Sequence, residues 1–259
     1  GCMTRKSLAL FGNPVSHSLS PAMHTAWIAD HRLDAAYEAR ALDLDLQPDQ
    51  LHAVMRAGVS GANVTVPFKE VAAQAAQAFS DTVEMLGVAN TLGWVDVGEG
   101  YRVLRADNTD VPGARRALDE ACDWERDVES VLIVGAGGAA RGMAAAVSGD
   151  GRTITVANRT ADKAALWKDM GLAHAFVGLD RLPDAVADAD LIINTTTLGM
   201  KGQPDLDWPL ERAKPGAIVY DSVYAPLETT LLSKARARGL RTVDGLGMPL
   251  HQGARALSF

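Results

Sequence analysis

Short apolar runs alternate with helical patterns along the first part of the chain. They fall at Ser7–Phe11, Ala22–Ala29, Ala36–Leu42, Leu51–Ala57 and Gly61–Val66. Two further apolar runs, Asn90–Val95 and Tyr101–Leu104, flank Asp96–Gly100, whose composition predicts a hairpin turn. Asp110 then opens a helix through about Ala121, and aspartate is a suitable N-cap. The alternation predicts βαβ units and a mainly parallel sheet.

A second βα series begins at Val131. Its predicted strands are Val131–Val134, Thr153–Ala157, Leu191–Asn194, Ile218–Tyr220 and Arg241–Val243, with helices from Gly138, Ala161, Pro183 and Leu227 between them. This periodicity is typical of a doubly wound, Rossmann-type sheet with right-handed crossovers. We therefore predict an α/β protein of two lobes, with a cleft between them as the place for a small-molecule site.

A glycine turn separates the first strand of this second series from its helix. In Gly135–Ala139 the glycines allow the backbone to approach a pyrophosphate, which the helix N-terminus binds through free N–H groups and its dipole. At the end of the next strand, an NAD site usually places Asp or Glu against the ribose hydroxyl. Here Asn158 and Arg159 occupy that position, and a guanidinium can clamp a 2′-phosphate. Asn158 and Arg159 therefore predict that the cofactor is NADP.

Composition and charge narrow the partners of the protein. Apolar residues make up 47% of the chain and charged residues 22%, as in a globular protein. The net charge of −7 argues against a nucleic-acid partner, which requires a basic face. No apolar stretch or export signal predicts a membrane partner. The two cysteines, Cys2 and Cys122, cannot build a zinc site or a disulfide framework. We expect a cytoplasmic protein without a metal site that binds small molecules.

Two polar clusters in the first part precede predicted helices. Ser18 and Ser20 lie just before Pro21, and helix capping or binding of a substrate carboxylate or hydroxyl both account for them. Further on, Lys69 follows Pro67 at a predicted helix start. The helix dipole disfavours a cation there. This placement favours a chemical role for Lys69 over that of a solvated surface lysine.

A third polar cluster joins Asn90 with Asn108 and Asp110. Capping accounts for Asp110 alone but not for so many amide and carboxylate groups together. Asp110 and Lys69 form a plausible acid/base pair if the fold brings them together. The carboxylate can then hold the ammonium, and the lysine can exchange a proton with the oxygen at the reacting carbon.

Further motifs extend these clusters along the chain. The complete set is Gly12–Pro14, Ser18–Pro21, Asn63–Lys69, Asn90–Thr91, Asn108–Asp110, Gly135–Ala139, Asn158–Thr160, Asn194–Met200, Asp221–Tyr224 and Asp244–Met248 with Gln252. In this order the motifs resemble the shikimate dehydrogenase family over nearly the whole chain. The resemblance implies reversible, NADPH-dependent reduction of 3-dehydroshikimate to shikimate in aromatic amino-acid biosynthesis.

The resemblance also implies roles for single residues. Lys69 and Asp110 match the catalytic pair of the family. Substrate-binding positions match at Ser18, Ser20, Thr65, Asn90, Tyr224 and Gln252. Cofactor-binding positions match at Gly135, Ala136, Gly137, Gly138, Ala139, Asn158, Arg159, Thr160 and Met248, the last beside the nicotinamide. The family architecture implies a substrate-binding catalytic domain of residues 1–112 with 245–259 and an NADP-binding Rossmann domain of residues 113–244.

The family pattern leaves two alternatives and two departures. A quinate/shikimate dehydrogenase of broader specificity shares most motifs but can prefer NAD, against which Asn158 and Arg159 argue. A non-catalytic NADP-binding module is disfavoured because Lys69 and Asp110 are both present. The family usually has a final helix and tail beyond the position of Phe259, and an apolar residue where Pro249 stands. Monomer and homodimer both stay open.

Overall fold

The computed structural model describes residues 6–15, 35–224 and 226–246, which belong to two compact α/β units. The main chain leaves the first unit at Thr109 and enters the second at Asp110. The predicted helical pattern Ala22–Ala29 lies outside the described residues. Within the described ranges, no helix has the length and apolar character needed to cross a membrane.

The first unit is built around a mixed sheet. Its elements are β1 (Lys6–Gly12), β2 (Ala35–Ala41), α1 (Pro48–Arg56), β3 (Gly61–Val64), α2 (Lys69–Ala75), β4 (Ala78–Phe79), α3 (Asp81–Leu86), β5 (Thr91–Gly98) and β6 (Tyr101–Asp107). The described strands have the order β2-β1-β3-β5-β6-β4. Strand β1 is parallel to β2 and β3, whereas β5 is antiparallel to β3 and β6. Helices α1 and α2 contribute Leu51, Met55 and Ala72 to the apolar cluster that they share with residues of this sheet.

The predicted hairpin is present, with a tighter turn than expected. Strand β5 continues to Gly98, and only Glu99 and Gly100 connect it to Tyr101. Both connecting residues have positive φ, 54° and 79°, which suits the right-handed twist of a two-residue hairpin. A register shift between Asp96 and Gly98 absorbs the extra residue as a bulge.

The second unit contains a sheet whose described strands are all parallel. Its elements are α4 (Asp110–Ala121), α5 (Trp124–Asp127), β7 (Ser130–Val134), α6 (Gly138–Val147), β8 (Thr153–Asn158), α7 (Ala164–Met170), β9 (Ala175–Gly178), α8 (Leu182–Asp188), β10 (Leu191–Asn194), β11 (Ile218–Asp221), α9 (Thr230–Ala237) and β12 (Arg241–Val243). Short 3₁₀ turns lie at Leu179–Arg181 and Leu210–Arg212. The strand order is β12-β11-β10-β7-β8-β9, so the order reverses between β7 and β10. Such a switch point is where doubly wound sheets bind ligands.

Both faces of the second sheet are buried. Successive residues of β7 belong to two different cores: Ile133 lies in the cluster that contains Trp124 and Trp167, and Leu132 lies in the cluster that contains Val186. A strand buried on both faces needs a continuous apolar run, which is what Val131–Val134 provides. The Rossmann-type part of the predicted fold class is therefore observed.

Several elements differ from the predictions. Strands β4 and β9 and helices α3 and α5 were not anticipated from the pattern of apolar residues. Helices expected from Ala161 and Leu227 begin at Ala164 and Thr230 instead. In the second case Thr229 is the N-cap, and its hydroxyl accepts a hydrogen bond from the Leu232 N–H. The cap therefore fixes the start of α9.

Candidate functional site

The described candidate residues divide between the two units. Thr65, Lys69 and Asn90 belong to the first unit, and Asp110, Tyr224 and the cofactor candidates Gly135–Ala139 and Asn158–Thr160 belong to the second. Ser18, Ser20, Met248 and Gln252 lie outside the described residues.

Lys69 is the first residue of α2 and is only 8% exposed. The connection from β3 is short: the Thr65 N–H donates to the Phe11 carbonyl, and the Phe68 N–H donates to the Thr65 carbonyl. The Lys69 carbonyl accepts from the Ala89 N–H, which ties the helix start to the segment before β5. A buried ammonium at a helix N-terminus is electrostatically costly, so helix stability does not account for a lysine at this position.

The turn after β1 packs closely against the turn after β3. A Cβ added at Gly12 would lie 2.5 Å from Thr65 Cγ2 and 2.6 Å from Val15 Cγ1. The Asn13 N–H donates to the Val66 carbonyl, and the Asn13 amide donates to the Leu42 carbonyl. Glycine at position 12 therefore allows the approach that holds Thr65 at the carboxyl edge of the sheet.

Asn90 is fully buried, and its carboxamide binds Thr109. The amide nitrogen donates to Thr109 Oγ1 at 2.9 Å, and the amide oxygen accepts from the Thr109 N–H at 2.9 Å. The same oxygen accepts from the Thr91 hydroxyl. Because Thr109 directly precedes Asp110, this pair of hydrogen bonds fixes the chain just before the candidate carboxylate.

Asp110 begins α4 and is 4% exposed. The helix starts at Asp110 itself, so this residue is in the first turn and is not the predicted N-cap. A carboxylate in the first turn interacts favourably with the helix dipole. The dipole therefore favours Asp110 at its helix start, whereas it disfavours Lys69 at the start of α2.

The glycine turn of the second unit is tightly packed. Gly135 has φ of +107°, and a Cβ there would lie 2.4 Å from Thr195 Oγ1. The Gly135 N–H donates to the Ala157 carbonyl, so the turn is held to β8. Helix α6 begins at Gly138, and the first N–H groups of a helix lack intrahelical acceptors. The turn therefore has the backbone form of an anion-binding helix start.

The residues after β8 approach the glycine turn from its side. Arg159 is exposed, and the Asn158 amide donates to the Thr160 carbonyl. The Trp167 indole N–H donates to the Ala136 carbonyl and ties α7 to the turn. Lys163 Nζ lies 4.0 Å from the position of a Cβ on Gly137. Lys163 was not among the predicted residues, although a cation shortly after Arg159 was a usable signal.

Asp221 and Asn194 link the carboxyl ends of β11 and β10. The Asp221 carboxylate accepts hydrogen bonds from the Asn194 amide, the Val223 N–H and the Thr229 hydroxyl. Asp221 is 1% exposed, and all three donors are close to the segment that carries Tyr224. The network therefore fixes the chain on either side of that candidate residue.

Burial gives Asp221 a measurable pH signature. Desolvation raises the pKa of this carboxyl above its ordinary value of 3.8, although the three donors act in the opposite direction. The folded protein therefore holds this proton more tightly than the unfolded chain does. Its stabilising contribution is present below pH 3.8 and is lost as the pH rises through the raised pKa.

Asp221→Asn keeps the shape of the side chain and cannot ionise. We expect the free energy of unfolding of this variant, relative to the unsubstituted protein, to increase between pH 3 and pH 7, measured by urea denaturation at each pH. Asp221→Ala leaves three buried donors without an acceptor and is expected to cost about 3 kcal/mol. The expectation would be contradicted if the free energy of unfolding of Asp221→Asn, relative to that of the parent, stayed constant or fell as the pH rises.

The second unit has the parallel sheet, the glycine turn at a helix start and the cations after the second strand that together define a Rossmann-type dinucleotide-binding protein. Models of two family domains match the chain: the shikimate dehydrogenase substrate binding domain over residues 10–92 and shikimate / quinate 5-dehydrogenase over residues 119–199. The chain belongs to the shikimate dehydrogenase family.

Individual relatives agree with this assignment. The chain is 42% identical over 254 residues to a shikimate dehydrogenase (NADP(+)) from Azorhizobium caulinodans, covering 95% of this chain and 87% of the relative. The structure of shikimate 5-dehydrogenase from Thermus thermophilus in complex with NADP(H) and shikimate matches with a TM-score of 0.79 and 35% identity, over 97% of this chain and 92% of that one. A quinate dehydrogenase from Corynebacterium glutamicum in complex with NAD matches with a TM-score of 0.78 and 29% identity, over 97% and 92%.

Proposed function

We propose that this protein is an NADP-dependent shikimate dehydrogenase, which transfers hydride reversibly between NADPH and 3-dehydroshikimate to give shikimate. One observation carries the proposal. Lys69 and Asp110, the two residues matching the family's catalytic pair, are both buried at helix starts in a chain 42% identical to an NADP-dependent shikimate dehydrogenase. A carrier that only binds NADP has no need for an ammonium buried at such a site.

The residues of the second unit fit NADP. Gly135–Ala139 and the start of α6 offer backbone N–H groups to a pyrophosphate. Arg159 and Lys163 are cations placed to bind a 2′-phosphate or the neighbouring phosphates, with Asn158 and Thr160 shaping the turn between them. Met248 is proposed to lie beside the nicotinamide. When bound, the reduced cofactor supplies the hydride.

The residues of this chain supply proton transfer and orientation. We assign Lys69 as the acid that protonates the oxygen at the reacting carbon during reduction, and as the base in the reverse direction. Asp110 holds the ammonium in place and accepts a hydrogen bond from a ring hydroxyl. Thr65, Tyr224 and Asn90, together with Ser18, Ser20 and Gln252, bind the carboxylate and hydroxyls of the substrate. Asn90 also holds Thr109, so its replacement affects Asp110 as well as the substrate.

The test of the function is a comparison of four substrate pairs. Shikimate and quinate are each offered with NADP and with NAD, and absorbance of the reduced nicotinamide is followed. The proposal requires that shikimate with NADP gives the highest kcat/KM. The Corynebacterium relative motivates the competing assignment, a quinate dehydrogenase that uses NAD. Quinate with NAD as the best pair would support that assignment and overturn ours.

Cofactor choice gives a separate prediction. Arg159→Ala and Lys163→Ala are each expected to raise the Kd for NADP by about 10- to 100-fold, because each removes a charge-assisted bond to phosphate worth about 1.5–3 kcal/mol. The Kd for NAD, measured by the same calorimetric titration, should change less than three-fold for Arg159→Ala. Arg116→Ala removes an exposed arginine from α4 of the same unit and serves as the control. Equal weakening of NADP and NAD by Arg159→Ala would show that Arg159 does not read the 2′-phosphate.

The cysteine content supports a proposal for the cellular setting. Two cysteines in 259 residues fit a reducing compartment, and we propose that the enzyme works in the cytoplasm.

A further inference from the structure

Asp110 packs directly against a glycine of the next long helix. A Cβ added at Gly142 would lie 2.8 Å from Asp110 Cβ and 3.5 Å from its Oδ2. Real Cβ atoms essentially never approach other atoms within 3.0 Å, so any side chain at position 142 must displace Asp110. Both residues belong to the second unit, where α4 and α6 are neighbours.

The backbone of α6 gives no other reason for glycine at position 142. Gly142 lies inside the helix and is not among the described glycines with positive φ. Glycine in a helix interior destabilises the helix relative to alanine. The close approach to Asp110 accounts for a residue that the helix itself disfavours.

A buried tyrosine of the sheet belongs to the same apolar cluster as Val111 of α4 and Ala140 of α6, the two helices that carry Asp110 and Gly142. Tyr220, in β11, is fully buried, and its hydroxyl has no hydrogen-bond partner among the residues that the structure describes. Burial raises the pKa of this phenol, and the carboxylates of Asp110 and Asp244 raise it further. The phenol therefore stays neutral and keeps a proton that it can donate. A buried donor without a partner is rare and calls for a functional explanation.

We propose that Gly142 and Tyr220 are positioning residues for Asp110. Gly142 sets how closely Asp110 lies against α6, and the Tyr220 hydroxyl donates to the carboxylate, directly or through one water, during turnover. Gly142 belongs to the helix that begins at the glycine turn, so the element proposed to bind the pyrophosphate also sets the location of the carboxylate. The inference rests on the proposed function for its kinetic consequences, but the packing of Asp110 against Gly142 can be tested without it.

The first test is Gly142→Ala. A crystal structure of the variant should show the distance between the two Cβ atoms increased from 2.8 Å to an ordinary contact of 3.4 Å or more, through movement of Asp110. The kcat for shikimate oxidation should fall about 10- to 100-fold, as expected for a misplaced catalytic group, with the Kd for NADP unchanged within two-fold. Ala145→Gly, in the same helix, is the control for altered helix stability. An unmoved Asp110, or equal losses in the two variants, would overturn the proposal.

A double-mutant cycle separates positioning from general packing. In an Asp110→Asn background, Gly142→Ala should lower the remaining kcat less than two-fold, because the group that it displaces is already neutral. If the fold-losses in kcat of the two single variants multiply in the double variant, Gly142 acts independently of Asp110. If the unsubstituted protein does not oxidise shikimate, the proposed function fails, whereas the crystal structure of the variant still decides the packing.

Tyr220→Phe tests the second contact. The variant keeps the ring and removes only the hydroxyl, so the fold should be retained. We expect kcat to fall about three- to ten-fold with a smaller change in the KM for shikimate, and no further loss in the Asp110→Asn background. Tyr101→Phe, on the exposed hairpin, is the matched control. An unchanged kcat in Tyr220→Phe would remove Tyr220 from the proposal.

Discussion

Replacing Lys69 with methionine is expected to lower kcat for shikimate oxidation by about 10³-fold, the middle of the range for loss of a general acid or base. Methionine is unbranched and of similar length, so it can fill the space of a side chain that is only 8% exposed. The Kd for NADP should not change, because the proposed nucleotide-binding residues belong to the second unit. Steady-state kinetics and a calorimetric titration with NADP measure the two quantities.

A second lysine of the first unit provides the control for Lys69. Lys6→Met removes an exposed ammonium at the start of β1 and should leave kcat within two-fold of the parent. Thermal unfolding of Lys69→Met should be no less cooperative than that of the parent, since a buried charge has been replaced by an apolar side chain. A Lys69→Met enzyme that retains more than a tenth of the parental kcat would show that another group transfers the proton.

Gly135→Ala is expected to have the largest effect on stability. The substitution forces an L-residue into φ of +107° and places its Cβ 2.4 Å from Thr195 Oγ1 and 3.1 Å from Thr196 Cγ2. Backbone strain and overpacking each cost about 1–3 kcal/mol, so we expect a loss of about 3–5 kcal/mol in the free energy of unfolding. Urea denaturation measures the loss, and NADP binding should weaken with it because the turn must move.

A glycine with open surroundings distinguishes backbone strain from overpacking as the cause of the lost stability. Gly151 also has positive φ, +74°, but a Cβ there meets nothing within 4 Å. Gly151→Ala therefore carries only the backbone strain, about 1–2 kcal/mol, and should leave NADP binding unchanged. Equal losses of stability at the two positions would show that packing against Thr195 does not limit the turn.

The central strands of the second unit could be predicted because their local pattern is strong. Val131–Val134, Leu191–Ile193 and Ile218–Tyr220 are continuous apolar runs, as a strand covered on both faces requires. Strand β9 is an edge strand of only four residues, Ala-Phe-Val-Gly, and so short an apolar run does not distinguish a strand from other structure. Strand β4 has two residues, too few to show a period.

One missed helix carried usable signals. Helix α3 begins after Ser80, whose hydroxyl accepts from the Val83 N–H, and it ends at Gly87 with φ of 69°. Serine and glycine at these two positions are typical helix-ending residues, and they bracket only six residues. The apolar pattern of so short a helix does not identify it, but its caps do.

Some residues of the candidate site could be predicted from local sequence, and others could not. The glycine turn and the pair Asn158 and Arg159 are local in sequence, and their spacing, together with the flanking strands and helix, predicts a dinucleotide site. The close approach of Gly142 to Asp110 and the burial of Tyr220 in the core of the second unit depend on how α4, α6 and β11 pack. No local pattern carries that information, because the partners are distant along the chain. Such residues become visible only once the fold is known.

The hydrogen bonds at Asp221 also constrain how this protein can diverge. Asn194, Val223 and Thr229 all donate to one buried carboxylate, and Asn194 additionally accepts from the Thr196 N–H and hydroxyl. Loss of the Asp221 side chain removes the shared acceptor of all three donors, whereas loss of the Asn194 or Thr229 side chain leaves the carboxylate with two donors, so a change at Asp221 should be tolerated only with changes at Asn194 and Thr229. Substitutions at these three positions should therefore be rare, and a substitution at Asp221 should occur together with substitutions at the other two.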